Sequence, residues 1–329
     1  MHHRFLLPLY ICGLSWIFIT VVYAKDEPTQ EELLDLRMQL YLQFESIASP
    51  WYYLAAIDQF ERNIQQVRND IPEREGPIAI QFSEEFWGGA QNPDSTDTSP
   101  ESIAYFNGNG LDGDADGIAD PNNPPDILYT MVNYLSRYGQ TEEDFKLALF
   151  DYYQREETVN QILTIAKLYN HFETLDLDEH SFPIPTNYNY SYRGTWGASR
   201  GWGGRRIHEG TDLFAGYGTP VRSTSYGVIE IMGWNEFGGW RVGIRDNHNT
   251  YHYFAHLSSF NKDIKEGDIV EPRTIIGYVG SSGYGKEGTS GKFPPHLHYG
   301  MYKYNGRTEW SFDPYPSLRI WERQDKKRK

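Results

Sequence analysis

Apolar positions follow two different rhythms along the chain. From about residue 30 to 172 they recur at helical spacing. Leu33, Leu36, Leu40 and Phe44 form one such series, and Leu54, Ile57, Phe60 and Ile64 form another. Ile127 to Tyr138, Phe145 to Tyr153 and Val159 to Phe172 predict three further helices. Two stretches interrupt them: Ile71 to Trp87, with Pro72, Gly76 and Pro77, and Asn107 to Pro125, rich in Gly, Asp, Asn and Pro. Residues 182 to 203 hold Pro183, Pro185, several tyrosines and several glycines without an apolar period, which predicts a linker. Beyond it the rhythm shortens. Val228 to Met232, Trp240 to Ile244, Thr250 to His256, Ile275 to Val279 and His296 to Tyr302 are β-branched and aromatic runs between glycine turns, and they predict an all-β unit. No repeat at a solenoid period is present.

The N-terminus adds a compartment. Arg4 precedes an apolar run from Phe5 to Ala24, which stops at Lys25-Asp26-Glu27. Roughly 20 apolar residues suffice to cross a bilayer, and Val22 and Ala24 also suit a signal-peptidase cut. Residues 1–24 are therefore expected to be a signal peptide or a membrane anchor. Either delivers the remainder outside the cytoplasmic membrane, and the anchor would be the chain's only membrane contact. The sole cysteine, Cys12, lies in this run, so the rest of the chain forms no disulfide.

Length and charge refine the division. The 329 residues allow two domains, and 39% hydrophobic residues exclude wholesale disorder. The net charge of −15 is uneven: 19 Lys and Arg against 14 Asp and Glu from residue 200 onward, 11 against 31 before it. The asymmetry suggests two units with different partners. The mildly basic C-terminal part suits an anionic polymer, and nothing is basic enough to point to nucleic acid.

Three histidine-bearing features fall in the β unit: His208-Glu-Gly-Thr-Asp212, Tyr253-Phe-Ala-His256-Leu257 and Pro295-His296-Leu-His298. Residues two apart on a strand share a face, so His296 and His298 present two imidazoles together. His208 and Asp212 are four apart, which also gives one face on a strand, and Gly210 and Thr211 disfavour a helix there. A catalytic zinc takes three N or O protein ligands and keeps one position open for water, whose pKa it lowers to about 7. His208, Asp212 and one of the paired histidines would supply that set. A remaining histidine could take a proton from the water or stabilise an oxyanion. His248, His252, His171 and His180 match no ligand position and read as ordinary structural residues.

These motifs resemble the lysostaphin-type zinc endopeptidases. The framing residues agree: Gly218-Thr-Pro-Val221, Gly227-Val228, Lys265-Glu-Gly-Asp-Ile-Val270, Ile276-Gly277 and Gly280-Ser-Ser-Gly283. The resemblance covers roughly 205 to 303 in unbroken order. It implies an antiparallel β fold bearing a groove. It also implies His208, Asp212 and His298 as zinc ligands, with His256 and His296 as the catalytic pair. The chain departs from the family at Phe254, where a tyrosine is usual, with Tyr253 and Tyr251 nearby. Inactive, partner-binding scaffolds of this type are the alternative, but they typically lack a ligand, and every ligand position is filled here.

The helical part has its own resemblance. Tyr53-Leu-Ala-Ala-Ile57, Phe60-Glu61, Gly76-Pro77 and Asp112 to Pro121 look like lytic transglycosylases. This implies a lysozyme-like unit with Glu61 at the position of the acid, although Arg62 stands where the family has serine. Asp112, Asp114 and Asp116 with Gly117 fit the start of a calcium loop, with Asn123 in place of the closing Glu. The expected fold is multidomain α and β: signal or anchor 1–24, helical lysozyme-like unit 25–181, linker 182–203, antiparallel β metallopeptidase domain 204–318 and charged tail 319–329. Together with Arg-Gly-Trp-Gly-Gly-Arg-Arg before His208, this layout resembles the L-Ala–D-Glu endopeptidases of endospore formers. It implies a substrate of peptidoglycan stem peptide and glycan, in the cell envelope or the spore cortex.

Overall fold

The computed structural model describes residues 28–201 and 204–328. The apolar segment 1–24 lies outside them. Among the described residues no helix is long and apolar enough to cross a membrane.

Seven helices come first: α1 (Gln30–Phe44), α2 (Trp51–Val67), α3 (Glu84–Gly88), α4 (Pro100–Tyr105), α5 (Pro124–Ser136), α6 (Glu142–Tyr153) and α7 (Glu156–Phe172). Their starts are set by polar residues. Thr29 with Glu32 and Thr141 with Asp144 close capping boxes, and Ser83 and Ser99 cap α3 and α4. The apolar series placed α5, α6 and α7 about one turn too late. Their first turns hold Asp126, Glu142, Glu143, Glu156 and Glu157, which suit a helix N-terminus but carry no apolar signal.

Helix α2 is the axis of this unit. Leu54, Ala55, Ala56, Ile57, Phe60 and Ile64 are buried on it, packed with Leu128 of α5 and Ile162 and Tyr169 of α7. It also carries a buried polar line. Asp58 accepts hydrogen bonds from Arg37 (3.2 Å), Tyr41 (2.6 Å) and the Ala79 amide. Gln59 accepts from Arg37 and Tyr169 and donates to Asn63 at 2.9 Å. Asn63 donates in turn to the Asn247 carbonyl, 2.9 Å away in the β unit. Each buried polar group is thereby satisfied, and the line fixes the two units to each other.

Glu61 sits on the same helix and accepts a hydrogen bond from Tyr153 at 2.6 Å. Burial pushes its carboxyl up to about 7, and the charge of Asp58 adds to this. Arg62 does not offset it, because its guanidinium turns to Asp58 and the Pro77 carbonyl. The folded chain keeps the Glu61 proton to about pH 7, whereas a free carboxyl loses it near 4.5. Stability therefore falls as pH rises through that window. Thermal unfolding below pH 4.5 and above pH 7 should show wild type losing more than Glu61→Gln. Equal losses in the two proteins would show that this proton is not held at Glu61.

The expected calcium set is not assembled. Asp116 caps the Ile118 amide, and Asp112 accepts from the amides of Ala115, Asp116 and Gly117. Short acidic side chains in such a turn serve their own backbone first. The cluster that does converge is Asp112, Asp114 and Asp126, with Asn123 already donating to Asp114. Calcium is not supported.

The remaining elements are β1 (Tyr190–Tyr192), β2 (Ser199–Arg200), β3 (Arg206–Ile207), β4 (Thr211–Ala215), β5 (Pro220–Arg222), β6 (Gly227–Asn235), β7 (Gly239–Arg245), β8 (Thr250–Phe260), β9 (Ile269–Val270), β10 (Ile275–Val279), β11 (His296–Tyr304), β12 (Glu309–Phe312) and α8 (Tyr315–Lys327). Ten strands form one antiparallel sheet along β1-β4-β11-β8-β7-β6-β9, with β10 on β5 and β8, and β12 on β11. Strands β2 and β3 pair separately.

Two expected boundaries give way. The stretch 182–203 is no free linker: Phe182 and Ile184 are fully buried in the β core, and β1 pairs with β4. Its tyrosines are structural, with Tyr190 and Tyr192 each donating to Glu322 at 2.7 Å. The charged tail is the end of α8, whose Leu318 and Trp321 enter the same core. Eight charged residues among 319–329 hid an amphipathic helix.

Candidate active site

Three adjacent strands carry the site. On β11, His298 stands opposite Asp212 of β4 on one side and Ala255 of β8 on the other. Alternation along β11 puts His296 on the same face. His208 precedes β4 in an irregular segment rather than on a strand. Gly210 allows this approach: a Cβ there would lie 2.5 Å from the Tyr299 carbonyl oxygen and 2.7 Å from the His298 ring.

The side chains meet closely. His208 Nε2 lies 3.0 Å from Asp212 Oδ1 and 2.9 Å from His298 Nδ1. His298 Nδ1 lies 3.1 Å from the same carboxylate oxygen. His208 Nδ1 donates to the Thr195 carbonyl at 2.9 Å, which turns Nε2 toward Asp212 and His298. Arg200 donates to Asp212 Oδ2 at 2.5 Å, and the Asp212 amide donates to Thr195 Oγ1. Burial alone would raise the Asp212 carboxyl, but hydrogen bonds from His208 and His298 hold it well below the usual carboxylate range. Among the described residues this trio and the Asp112 cluster are the only groups able to hold a metal ion.

His256 reaches the site by a break in the strand. Along β8, Tyr251 and Tyr253 face the groove while His252 and Phe254 face inward. Strict alternation would send residue 256 inward as well. Instead β8 carries one extra residue relative to β7: Val242 pairs with Phe254, yet Trp240 pairs with Leu257. His256 takes a left-handed backbone, φ 64°, and its amide donates to the Gly238 carbonyl. This is a β-bulge, and it turns the imidazole to the groove while Leu257 resumes the core face. A left-handed non-glycine residue here costs about 1–3 kcal/mol, which the surrounding sheet must offset.

His256 and His296 are held alike. Nδ1 of each donates to a carbonyl at 2.8 Å, Ser282 for His256 and Pro294 for His296. Their rings are 4.8 Å apart, and Phe293 lies against both. Burial lowers both pKa values, that of His256 strongly, and a proton on His296 or His298 would lower His256 further. Both are therefore neutral at pH 7, with Nε2 free to accept a proton.

All five residues singled out in the sequence line one groove of about 490 Å³. Phe254 is fully buried, and Tyr253, its ring 6.0 Å from His298, supplies the groove tyrosine. His252 is a core residue bonded to Asp246 at 3.0 Å and Tyr299 at 2.7 Å, while His248 pairs with Asp178 and His180 stacks on Trp321. Thr195 and Arg200 were not foreseen. They lie in the stretch read as a linker, and no local periodicity marks a residue that serves a ligand from behind.

Comparison with known proteins agrees with this geometry. A family model, peptidase family M23, matches residues 206–314. The L-Ala--D-Glu endopeptidase of Bacillus subtilis (strain 168) is 56% identical over 307 residues, covering 93% of this chain and 94% of that protein. Lysostaphin of Staphylococcus staphylolyticus is 36% identical over 34% of this chain and 22% of its own. Among solved structures, the catalytic domain of lysostaphin from Staphylococcus simulans aligns with TM-score 0.34 and 33% identity, over 43% of this chain and 99% of that one. A family model that takes in His208, Asp212, His256, His296 and His298, joined to a relative that matches both units nearly end to end, makes the chain a member of peptidase family M23.

Proposed function

We propose that the chain is a zinc-dependent endopeptidase of cell-wall peptidoglycan that cuts the stem peptide between L-Ala and D-Glu. The observation that carries this is the 56% identity to a protein named for that bond over 93% of the chain, helical unit included. A relative matched only in the β unit would support the peptidase chemistry but not the bond.

His208, Asp212 and His298 are the proposed ligands. A tetrahedral zinc with ligands near 2.0–2.1 Å separates them by roughly 3.3 Å. The present 2.9–3.1 Å needs only a slight spreading. Two nitrogens converging on one carboxylate oxygen are also a donor set that zinc suits. When bound, zinc would polarise the scissile carbonyl and acidify a water. His256 and His296, neutral and fixed by their carbonyl partners, would take up the water's proton, deliver it to the leaving amine and donate to the developing oxyanion. Arg200 and Thr195 would hold Asp212 and His208 in place.

Such a substrate places the enzyme outside the cytoplasmic membrane, in the envelope or the spore cortex. The helical unit is proposed to hold the glycan strand from which the peptide hangs. Its transglycosylase-like reading rests on the Tyr53 to Glu61 likeness and the raised Glu61 carboxyl. Mass spectrometry of tetrapeptide muropeptides incubated with the protein, with and without a zinc chelator, tests the proposal. The expected products are L-Ala left on the sugar and a released peptide beginning with D-Glu, both lost with chelator. Cleavage at another peptide bond would discard the bond, and chelator-resistant cleavage would discard the metal.

A further inference from the structure

The groove holds positive charge that the reaction chemistry does not use. Arg206 and Arg241 both line it, beyond the tyrosine beside His298. Most other arginines of the β unit are neutralised by carboxylates. Arg200 is paired with Asp212, Arg222 with Asp325, and Arg245 with Glu230 and Glu309. Arg206 and Arg241 pair with no carboxylate among the described residues, and Nε of each is buried without an acceptor. The groove's own carboxylates are otherwise engaged: Glu309 by Arg245, and Glu209 by the Tyr302 hydroxyl at 3.4 Å. Arg206 is steadied by Phe237, its guanidinium carbon 5.0 Å from the ring centroid. Arg206 and Arg241 line the groove with Tyr253, and both lie near enough for their charges to act on its hydroxyl. The two cations thus share the groove wall with a tyrosine that adjoins His298.

Buried N–H groups without acceptors are costly, and two like charges held together repel. A bound anion relieves both. A guanidinium presents parallel donors that match a carboxylate. The proposed substrate brings one: D-glutamate has two carboxyl groups, and whichever continues the chain, the other stays free and anionic. We propose that Arg206 and Arg241 form a carboxylate subsite that reads the free carboxylate of the D-Glu residue following the scissile bond. This rests on the L-Ala–D-Glu reading above and adds a specificity element to it. Arg206 and Arg241 act by binding and take no part in bond breaking.

The test uses two peptide substrates that differ only at that group, one with the free carboxylate and one with it amidated. The full zinc-loaded chain is compared with Arg206→Gln, Arg241→Gln and the double variant, with zinc content and melting temperature measured alongside. Wild type should favour the acid over the amide by about 10- to 100-fold in kcat/KM, as for a charge-assisted pair. The double variant should bring that ratio towards one, mainly through a higher KM for the acid. Arg241→Lys, which keeps the charge but not the fork, should retain part of the preference. Equal cleavage of acid and amide by wild type would overturn the subsite while leaving the bond assignment intact. So would an undiminished preference in a folded, zinc-loaded double variant. Cleavage at a different bond in both substrates would overturn the bond assignment, and the role of this pair with it.

Discussion

Replacing His298 by alanine is expected to remove both the metal and the hydrolysis. Its Nδ1 is one corner of a triangle whose other corners, His208 Nε2 and Asp212 Oδ1, lie 2.9 and 3.1 Å away. Two remaining ligands cannot enclose a catalytic zinc, which takes three. Losing a mere hydrogen-bond partner of a ligand costs about 10–100-fold in affinity or activity, so losing a ligand should cost more than about 100-fold. Asp212→Ala should behave the same way. It also leaves the Arg200 guanidinium facing two imidazoles without its carboxylate. Metal analysis of protein dialysed against metal-free buffer, beside a rate on muropeptide, measures both losses. A His298→Ala protein with full zinc and full rate would refute the ligand assignment.

Replacing His296 by alanine should separate what His298→Ala loses together. Its Nε2 is 3.7 Å from Asp212 Oδ1, outside the tight triangle, and its Nδ1 is spent on the Pro294 carbonyl. The variant should keep its zinc. It should lose about 10²–10⁴-fold in kcat, the usual contribution of a positioned acid or base. His256→Ala should fall in the same range, because the two imidazoles are held alike at 4.8 Å. KM should move little in either case, since the loss lies in the transition state rather than in ground-state binding. Zinc loss equal to that of His298→Ala would mean that His296 is a ligand and that the division of roles is wrong.

The strands that carry the site were largely legible. His296 and His298 share a face by simple alternation, and Ile275 to Val279 matched its strand end to end. The helices were legible as apolar series but not at their starts, where acidic first turns carry no apolar mark. What failed depended on contacts distant in sequence. Phe182 and Ile184 stand among prolines and tyrosines, so nothing local shows that they enter the β core. His208 looked like a strand neighbour of Asp212, whereas a glycine under the His298 ring brings it in from outside β4. The acidic run around Asp114 had a calcium-like spacing, but the chain uses Asp112 to tie its own amides. Spacing reports which residues could share a face. It does not report which of them the backbone has already claimed.

The extra residue at Ala255 and His256 makes β8 a two-part code with a phase shift. Before the shift, odd-numbered positions face the groove and even-numbered ones build the core; after it the parity is reversed. Substitutions on either side are thus judged by opposite rules within one strand. Exchanging a side chain disturbs one position. Losing the bulge with every residue kept would restore plain alternation, turn the imidazole of His256 into the apolar layer and carry Leu257 out into the groove. The active site therefore depends on where β8 breaks step as much as on which residues β8 carries.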